Sequence, residues 1–270
     1  MEKSLQAVFF PNKFEPFPGW TAADLTTRWS ANPASVLAHM AHAAYHTGPK
    51  IQEVLGRLGA TTLRFYDRSG AQAFLAAWPD KAVLAFRGSE PREPSGAEAV
   101  PGLRLSPKLV AFLSNDVLAD LAFRTVTFDK RQGVEVHRGF LREIDRLWQD
   151  HIAPDLDGIA PPAAGPAGVP LWVTGHSLGA AMATLAAMRR PFHGVVTFGE
   201  PRVGRGLDGI LRADIHTRYV NGDDPVTEIP PELFRYRHHG TAIQIADADG
   251  ARDARFDHAI IYYAENVARG

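Results

Sequence analysis

Leu171-Trp172-Val173-Thr174-Gly175-His176-Ser177-Leu178-Gly179-Ala180-Ala181-Met182-Ala183-Thr184-Leu185-Ala186-Ala187 reads as a strand, a sharp turn and a helix. Leu171 to Thr174 are apolar or β-branched, which suits a buried strand. Ala180 to Ala187 are dominated by alanine, the strongest helix former. Between them, Gly175-His176-Ser177-Leu178-Gly179 has the G-x-S-x-G spacing of a nucleophile elbow. A chain turns from strand to helix over so few residues only if the turning residue takes strained, positive-φ space. The two backbones then approach so closely that the positions two before and two after must lack bulk, and both are glycine. Such a turn lifts the Ser177 hydroxyl clear of the sheet. It also aims the first helical N–H groups, starting with Leu178, at whatever Ser177 attacks.

The chain has 270 residues, 45% of them apolar and 22% charged, enough for one large globular domain or two small ones. A net charge of −1 gives no reason to expect nucleic acid or an anionic membrane surface. There is no cysteine, which excludes disulfides, thiolate metal sites and a cysteine nucleophile. The apolar run Ala7 to Phe10 is too short for a signal h-region. No stretch approaches the roughly 20 apolar residues of a membrane span. The expectation is a cytoplasmic protein, with secretion by another route left open.

Residues 1–31 are rich in Phe, Pro and Trp without a clear period, and read as an extended arm packed on the body. Asn32-Pro33 opens a helix as N-cap and first helical residue, with Val36, Leu37, Met40, Ala41, Ala44 and Tyr45 at helical spacing. A second helix is expected from Lys50 to Leu58. His39, His42 and His46 could share a face and bind metal, but no carboxylate joins them at ligand spacing, and a polar helix face is the simpler reading. Strands are expected over 61–66, 72–77 and 82–86, with turns at Asp67-Arg68-Ser69-Gly70 and Pro79-Asp80-Lys81. The third runs into Arg87-Gly88-Ser89. Residues 124–129 and 134–137 read as strands, and Phe140 to Ile152 as an amphipathic helix.

Asp157 to Pro170 reads as a surface loop. Beyond the elbow, 194–198 and 216–220 are strands leading into Gly199-Glu200-Pro201-Arg202 and Asn221-Gly222-Asp223-Asp224-Pro225. Residues 234–238 and 241–246 suggest a hairpin around His239-Gly240. Asp247-Ala248-Asp249-Gly250 is a turn with a loose likeness to a calcium loop. Phe256 to Ala268 is the closing helix. Strands alternating with helices argue an α/β fold with a mostly parallel sheet, whose chemistry collects at the carboxyl ends of its strands. Ser89, Ser177 and Asp224 all follow strands.

An activated serine needs a base within hydrogen-bond reach, and the base needs an acid to hold its tautomer. Downstream of Ser177 the acids include Asp208, Asp214, Asp223, Asp224, Glu228 and Asp257. The bases are His193, His216, His238, His239 and His258. Asp224, before the rigid Pro225, suits an orienting acid. His258, near the C-terminus, suits a base carried over Ser177 on a loop. Position alone does not choose between them and their neighbours.

A resemblance does. Val173 to Ala181 resembles the elbow of the fungal-type, class 3 lipase family within the α/β-hydrolase superfamily. Phe198-Gly199-Glu200-Pro201-Arg202-Val203-Gly204 resembles the signature after the next strand. Asp223-Asp224-Pro225-Val226 with Ile229-Pro230-Pro231 is similar to the family's acid loop, and Asp257-His258 with Tyr262 to its catalytic-histidine segment. Phe86-Arg87-Gly88-Ser89 resembles the oxyanion strand end, and Val136-His137-Arg138-Gly139-Phe140 the entry to the helix before the elbow. The likeness runs from Val36 to Val267.

The resemblance implies one α/β-hydrolase domain over 1–270, its mostly parallel central sheet flanked by helices. It implies Ser177 as nucleophile, His258 as general base and then acid, and Asp224, directly before Pro225-Val226, as the orienting carboxylate. Ser89, by backbone N–H and hydroxyl, and the Leu178 N–H would form the oxyanion hole. His176 is expected as elbow packing and His137 as a satisfied structural histidine. No metal or organic cofactor is implied; the partner is a lipid or ester substrate, possible at a lipid–water interface. The proline-punctuated stretch 90–115, running toward Asp120-Leu121, is longer than the family's usual lid and reads as a lid-like insertion over Ser177. The implied activity is a triacylglycerol lipase, with phospholipase A1 or a short-chain or aryl carboxylesterase as alternatives. A non-catalytic lipase-like binding protein would show a lost triad member, and all three are present.

Overall fold

The computed structural model describes residues 11–89, 124–160, 168–245 and 254–269. The insertion expected over 90–115, the Asp120-Leu121 pair, the turn expected at 247–250 and residues 1–10 lie outside them.

The expected extended arm is corrected over its second half, where α1 (Ala22–Ala31) is helical. Only Leu25 of this helix is buried, so no apolar period advertises it. A reciprocal capping box starts it: Thr21 Oγ1 accepts from the Asp24 N–H at 3.3 Å, and Asp24 Oδ2 accepts from the Thr21 N–H at 2.8 Å. α2 (Pro33–Ala43) follows with Asn32 Oδ1 accepting the Ser35 N–H at 3.2 Å. α3 (Gly48–Arg57) is next.

β1 (Thr62–Arg68) and β2 (Ala71–Trp78) form a hairpin longer than expected. Only Ser69 and Gly70 turn, at φ 50° and 89°, the two positive-φ positions of a tight primed turn. β3 (Lys81–Phe86) lies beside β2 and is buried throughout. β4 (Thr125–Asp129) and β5 (Val134–His137) pair with each other outside the main sheet. His137 Nδ1 then accepts from the Gly139 N–H at 3.1 Å and caps α4 (Arg138–Leu147). The helix loosens into a π turn at Trp148–Ile152 and resumes as α5 (Ala153–Ile159). The loop expected from Asp157 therefore begins only after α5; residues 161–167 are not described.

β6 (Leu171–His176), α6 (Leu178–Ala187) and β7 (Gly194–Phe198) follow as the sequence suggests. β8 (Gly204–Arg205) completes the small sheet β4-β5-β8. β9 (His216–Asn221) and β10 (Thr241–Ile245) run parallel, so the hairpin expected around His239-Gly240 does not form. The alternation over 234–238 has another cause: Tyr236 is fully buried and Arg237 bridges to Gly204 of the small sheet. The closing helix is also broken, into α7 (Ala254–His258) and α8 (Ile260–Val267), with Ala259 extended at φ −66°, ψ 126°.

Among the described residues the main sheet has the order β1-β2-β3-β6-β7-β9-β10, and β3 through β10 are parallel neighbours in it. Side chains alternate across it. Val83, Ala85, Val196 and Phe198 pack with α1, α2 and α8 on one face. Leu84, Val173 and Val195 pack with α4 and α6 on the other. Phe86 is level with Gly175, His176 with Phe198, and Phe198 with Tyr219. The parallel register thus brings the loops after β3, β6, β7 and β9 to one edge.

Candidate active site

Ser177 sits at φ 58°, ψ −126°, between β6 and α6. Such a conformation costs on the order of 1–3 kcal/mol and persists only where its surroundings impose it. They do so here. The Ser177 N–H donates to Phe198 O at 3.0 Å. A Cβ on Gly175 would run into the Gly179 carbonyl, and one on Gly179 into the Phe86 carbonyl. The glycines therefore let β3, β6 and α6 meet behind the serine. A Cβ on Gly88 would stand 2.5 Å from His176 O and 3.1 Å from Ser177 Cβ, so the loop carrying Ser89 lies against the elbow. Ser89 and Leu178 are half-buried. Leu178 opens α6, where N–H groups have no acceptor within the helix.

Of the candidate acids, Asp224 is the one that meets His258. Its carboxylate lies 2.8 and 2.9 Å from His258 Nδ1. The Val226 N–H donates to Oδ1 at 2.9 Å and the Tyr263 hydroxyl to Oδ2 at 2.7 Å. Both Asp224 and His258 are buried. Asp223 is exposed, and its N–H donates to the buried Asp257 carboxylate at 3.1 Å. Burial, and then the Asp224 charge beside it, push the Tyr263 phenol well above its ordinary range, so it remains a donor. Tyr263 also accepts from the Asn221 N–H at 3.0 Å, which ties it to the end of β9. A Cβ on Gly199 would be 2.7 Å from Asp224 Oδ2 and 3.1 Å from His258 Nδ1. The Asp224–His258 pair thus rests on the residue next to Phe198, the acceptor of the Ser177 amide.

The other candidates go elsewhere. His193 is exposed near Trp172. His238 Nε2 donates to Thr227 O at 2.7 Å, and burial takes its ring down to about 4. His216 and His239 join Glu200 in a second buried cluster. His216 Nε2 is 3.1 Å from Glu200 Oε2, the two Nδ1 atoms are 3.0 Å apart, and His239 Nε2 faces Leu211 O at 2.9 Å. Thr184 and Thr197 hydroxyls also donate to Glu200, at 2.5 and 2.7 Å. Burial alone would raise this carboxyl, but His216 foremost, with Arg218 and Thr184, brings it down to about 2. Asp208 stands 3.4 Å from His239, and Asp214 pairs with Arg212.

His39, His42 and His46 anchor the arm. His39 Nδ1 donates to Pro16 O, His42 Nε2 to Pro11 O at 2.9 Å, and His46 pairs with the Phe14 backbone. Burial holds His39 at about 4 and His42 at about 3.

Sequence reasoning missed Tyr263, and also Tyr45, whose hydroxyl lies 2.7 Å from His176 Nδ1. The resemblance drew attention to Tyr262, while its neighbour holds the acid. No local spacing reveals this, because the break at Ala259 decides which tyrosine faces Asp224.

Residues 113–234 match the model of the lipase (class 3) family. Over that stretch, less than half of the chain, it is similar to class 3 lipases. It is 34% identical over 129 residues to the secreted mono- and diacylglycerol lipase 1 of Fusarium solani, covering 45% of this chain and 37% of that one. It is 32% identical over 142 residues to the lipase of Rhizomucor miehei, covering 48% of this chain and 38% of that one. The match thus spans less than half the length of the curated relatives. A fungal lipase crystal structure superimposes with TM-score 0.58 at 21% identity, covering 91% of each chain. That likeness shows the α/β-hydrolase fold. It also leaves the triad positions of this chain to be argued from its own geometry. The expected cytoplasmic location is corrected: the Fusarium relative is named as a secreted protein, and a short apolar N-terminal run was no basis for placing the chain inside the cell. Among the described residues no helix is long and apolar enough to cross a membrane.

Proposed function

We propose that this chain is a lipase of the class 3 type, a serine carboxylic-ester hydrolase acting on fatty-acyl glycerol esters, a triacylglycerol lipase. The observation that carries the reading is the buried Asp224–His258 pair, 2.8 Å apart, with the His258 ring packed on His176, the residue before the strained Ser177. In this reading Asp224 fixes the Nδ1–H tautomer, so His258 presents Nε2 as the base. Ser177 Oγ adds to the ester carbonyl carbon as its proton passes to His258. The carbonyl π electrons move to oxygen, and the oxyanion is held by N–H groups of Ser89 and Leu178 with the Ser89 hydroxyl; each such donor is worth about 3–4 kcal/mol. The alkoxide leaves with the proton from His258. Water, deprotonated by His258, then releases the fatty acid by the same steps. The chemistry needs no metal or organic cofactor. The names of the Fusarium and Rhizomucor relatives support the substrate class.

An organophosphonate followed by peptide mass spectrometry tests the site, and hydrolysis of emulsified triacylglycerols against soluble nitrophenyl esters and phospholipid tests the substrate. Labelling at Ser177 with preference for emulsified long-chain glycerides is expected. A label elsewhere overturns the nucleophile; a preference for soluble short esters or for phospholipid overturns the substrate class.

A further inference from the structure

His176 is the unspecified position of the G-x-S-x-G pattern, yet both of its ring nitrogens are engaged and the ring is buried. Nδ1 lies 2.7 Å from the Tyr45 hydroxyl, and Nε2 lies 2.7 Å from the backbone carbonyl oxygen of His258. A carbonyl only accepts, so Nε2 carries the proton and Nδ1 keeps its lone pair for the Tyr45 O–H. Burial, and then the neighbouring His258, hold the His176 ring well below the ordinary histidine range, so this neutral tautomer persists.

The carbonyl that His176 binds is one the helix break deprives of its ordinary partner. In a continuous helix the Tyr262 N–H would donate to His258 O. Ala259 instead leaves helical space, and the Tyr262 and Tyr263 N–H groups both turn to Ala259 O, at 3.0 and 3.3 Å. The imidazole of His176 takes the vacated role. Its ring also packs on that of His258, with centroids 4.4 Å apart and planes at 39°. His258 is therefore gripped at two ends: Asp224 holds the ring through Nδ1, and His176 holds the backbone from which the ring projects. Because His176 immediately precedes Ser177, nucleophile and base are coupled through one side chain. The Tyr45 hydroxyl that sets the tautomer presses on the loop of Ser89 as well, since a Cβ on Gly88 would collide with it.

We propose that His176 is a positioning residue for His258, with Tyr45 selecting its hydrogen-bonding form. The proposal rests on the triad reading given above. A displacement of the base by about 1 Å can cost on the order of 100-fold in rate without changing ground-state binding.

The test compares His176→Leu, which loses both hydrogen bonds, with His176→Gln, whose side-chain amide can still donate to His258 O, and with Tyr45→Phe, which keeps the ring. Each is measured for kcat and KM on a soluble nitrophenyl ester, for the rate of Ser177 phosphonylation between pH 5 and 9, and for Tm. Expected for His176→Leu is a fall of about 100-fold in kcat and in labelling rate, with KM within about twofold and a displaced pH midpoint for labelling. His176→Gln should recover most of the loss, and Tyr45→Phe should show a smaller fall of the same pattern. Wild-type labelling rates and pH midpoint in Tyr45→Phe and His176→Leu, or a His176→Gln variant no better than His176→Leu, overturn the proposal. Should His176→Leu not fold, the kcat-against-KM pattern and pH midpoint of Tyr45→Phe decide. If the wild-type protein is not labelled at Ser177, the triad reading itself fails; if it is labelled and the variants match it, only the positioning role fails.

Discussion

Acid should loosen this protein through the histidines that anchor its arm. His39 and His42 are neutral in the folded chain, with burial holding their rings at about 4 and about 3. In the unfolded chain each takes a proton near 6.5. Below that pH the unfolded state binds more protons, so stability falls as pH falls, until the folded rings themselves charge near 4 and 3. Between pH 7 and pH 5 the loss is about 2 kcal/mol for each ring, or about 4 kcal/mol for both, an appreciable part of a domain's 5–15 kcal/mol. The variants His39→Asn and His42→Gln place an amide near the ring nitrogen that donates now, at Nδ1 and Nε2 respectively, but do not titrate. Urea unfolding at pH 7, 6 and 5, followed by tryptophan fluorescence, reads the difference. The double variant should lose about 4 kcal/mol less than the parent over this range. Equal losses in the two proteins would refute the reasoning, because the rings would then not be neutral anchors.

Asp224→Asn should cut turnover by about four orders of magnitude, through the wrong His258 tautomer, while Asp223→Asn on the exposed neighbour changes it little; kcat on a soluble ester distinguishes them. Tyr263→Phe removes one of the hydrogen bonds to Asp224 and leaves the Asn221 N–H without its acceptor, so a destabilisation of about 1–3 kcal/mol is expected in denaturant unfolding, with kcat reduced. Gly179→Ala puts a methyl into the Phe86 carbonyl; the expected outcome is loss of phosphonate labelling at Ser177, with Tm lowered by the backbone shift. Glu200 is held at about 2 in the fold, below its unfolded value. Its contribution is thus present above about pH 4.5 and lost as pH falls from there toward 2. Glu200→Gln, which breaks a buried pair, should cost about 3–5 kcal/mol at pH 7 and flatten that acid limb, measured by unfolding free energy against pH.

The elbow was legible because its constraint is local. The glycines two residues either side of Ser177 answer a close approach that the chain makes within one turn, and alternating strands and helices set the sheet's parallel character. The resemblance then pointed to Asp224 and His258 among acids and bases that spacing left equivalent. Two apparent elements misled, each for its own reason. Residues 234–238 alternate because Tyr236 is buried beneath the small sheet, and 256–268 looks helical throughout because nothing about Ala259 announces a break. What only the tertiary structure decided is which groups hold the site: Tyr263 rather than Tyr262 on Asp224, His176 on the His258 carbonyl, Tyr45 on His176. Residue type and short-range period determine whether a segment can be strand, turn or helix. Which side chains meet across tens to hundreds of residues depends on strand register and on where a helix stops, and those follow from packing the whole core at once.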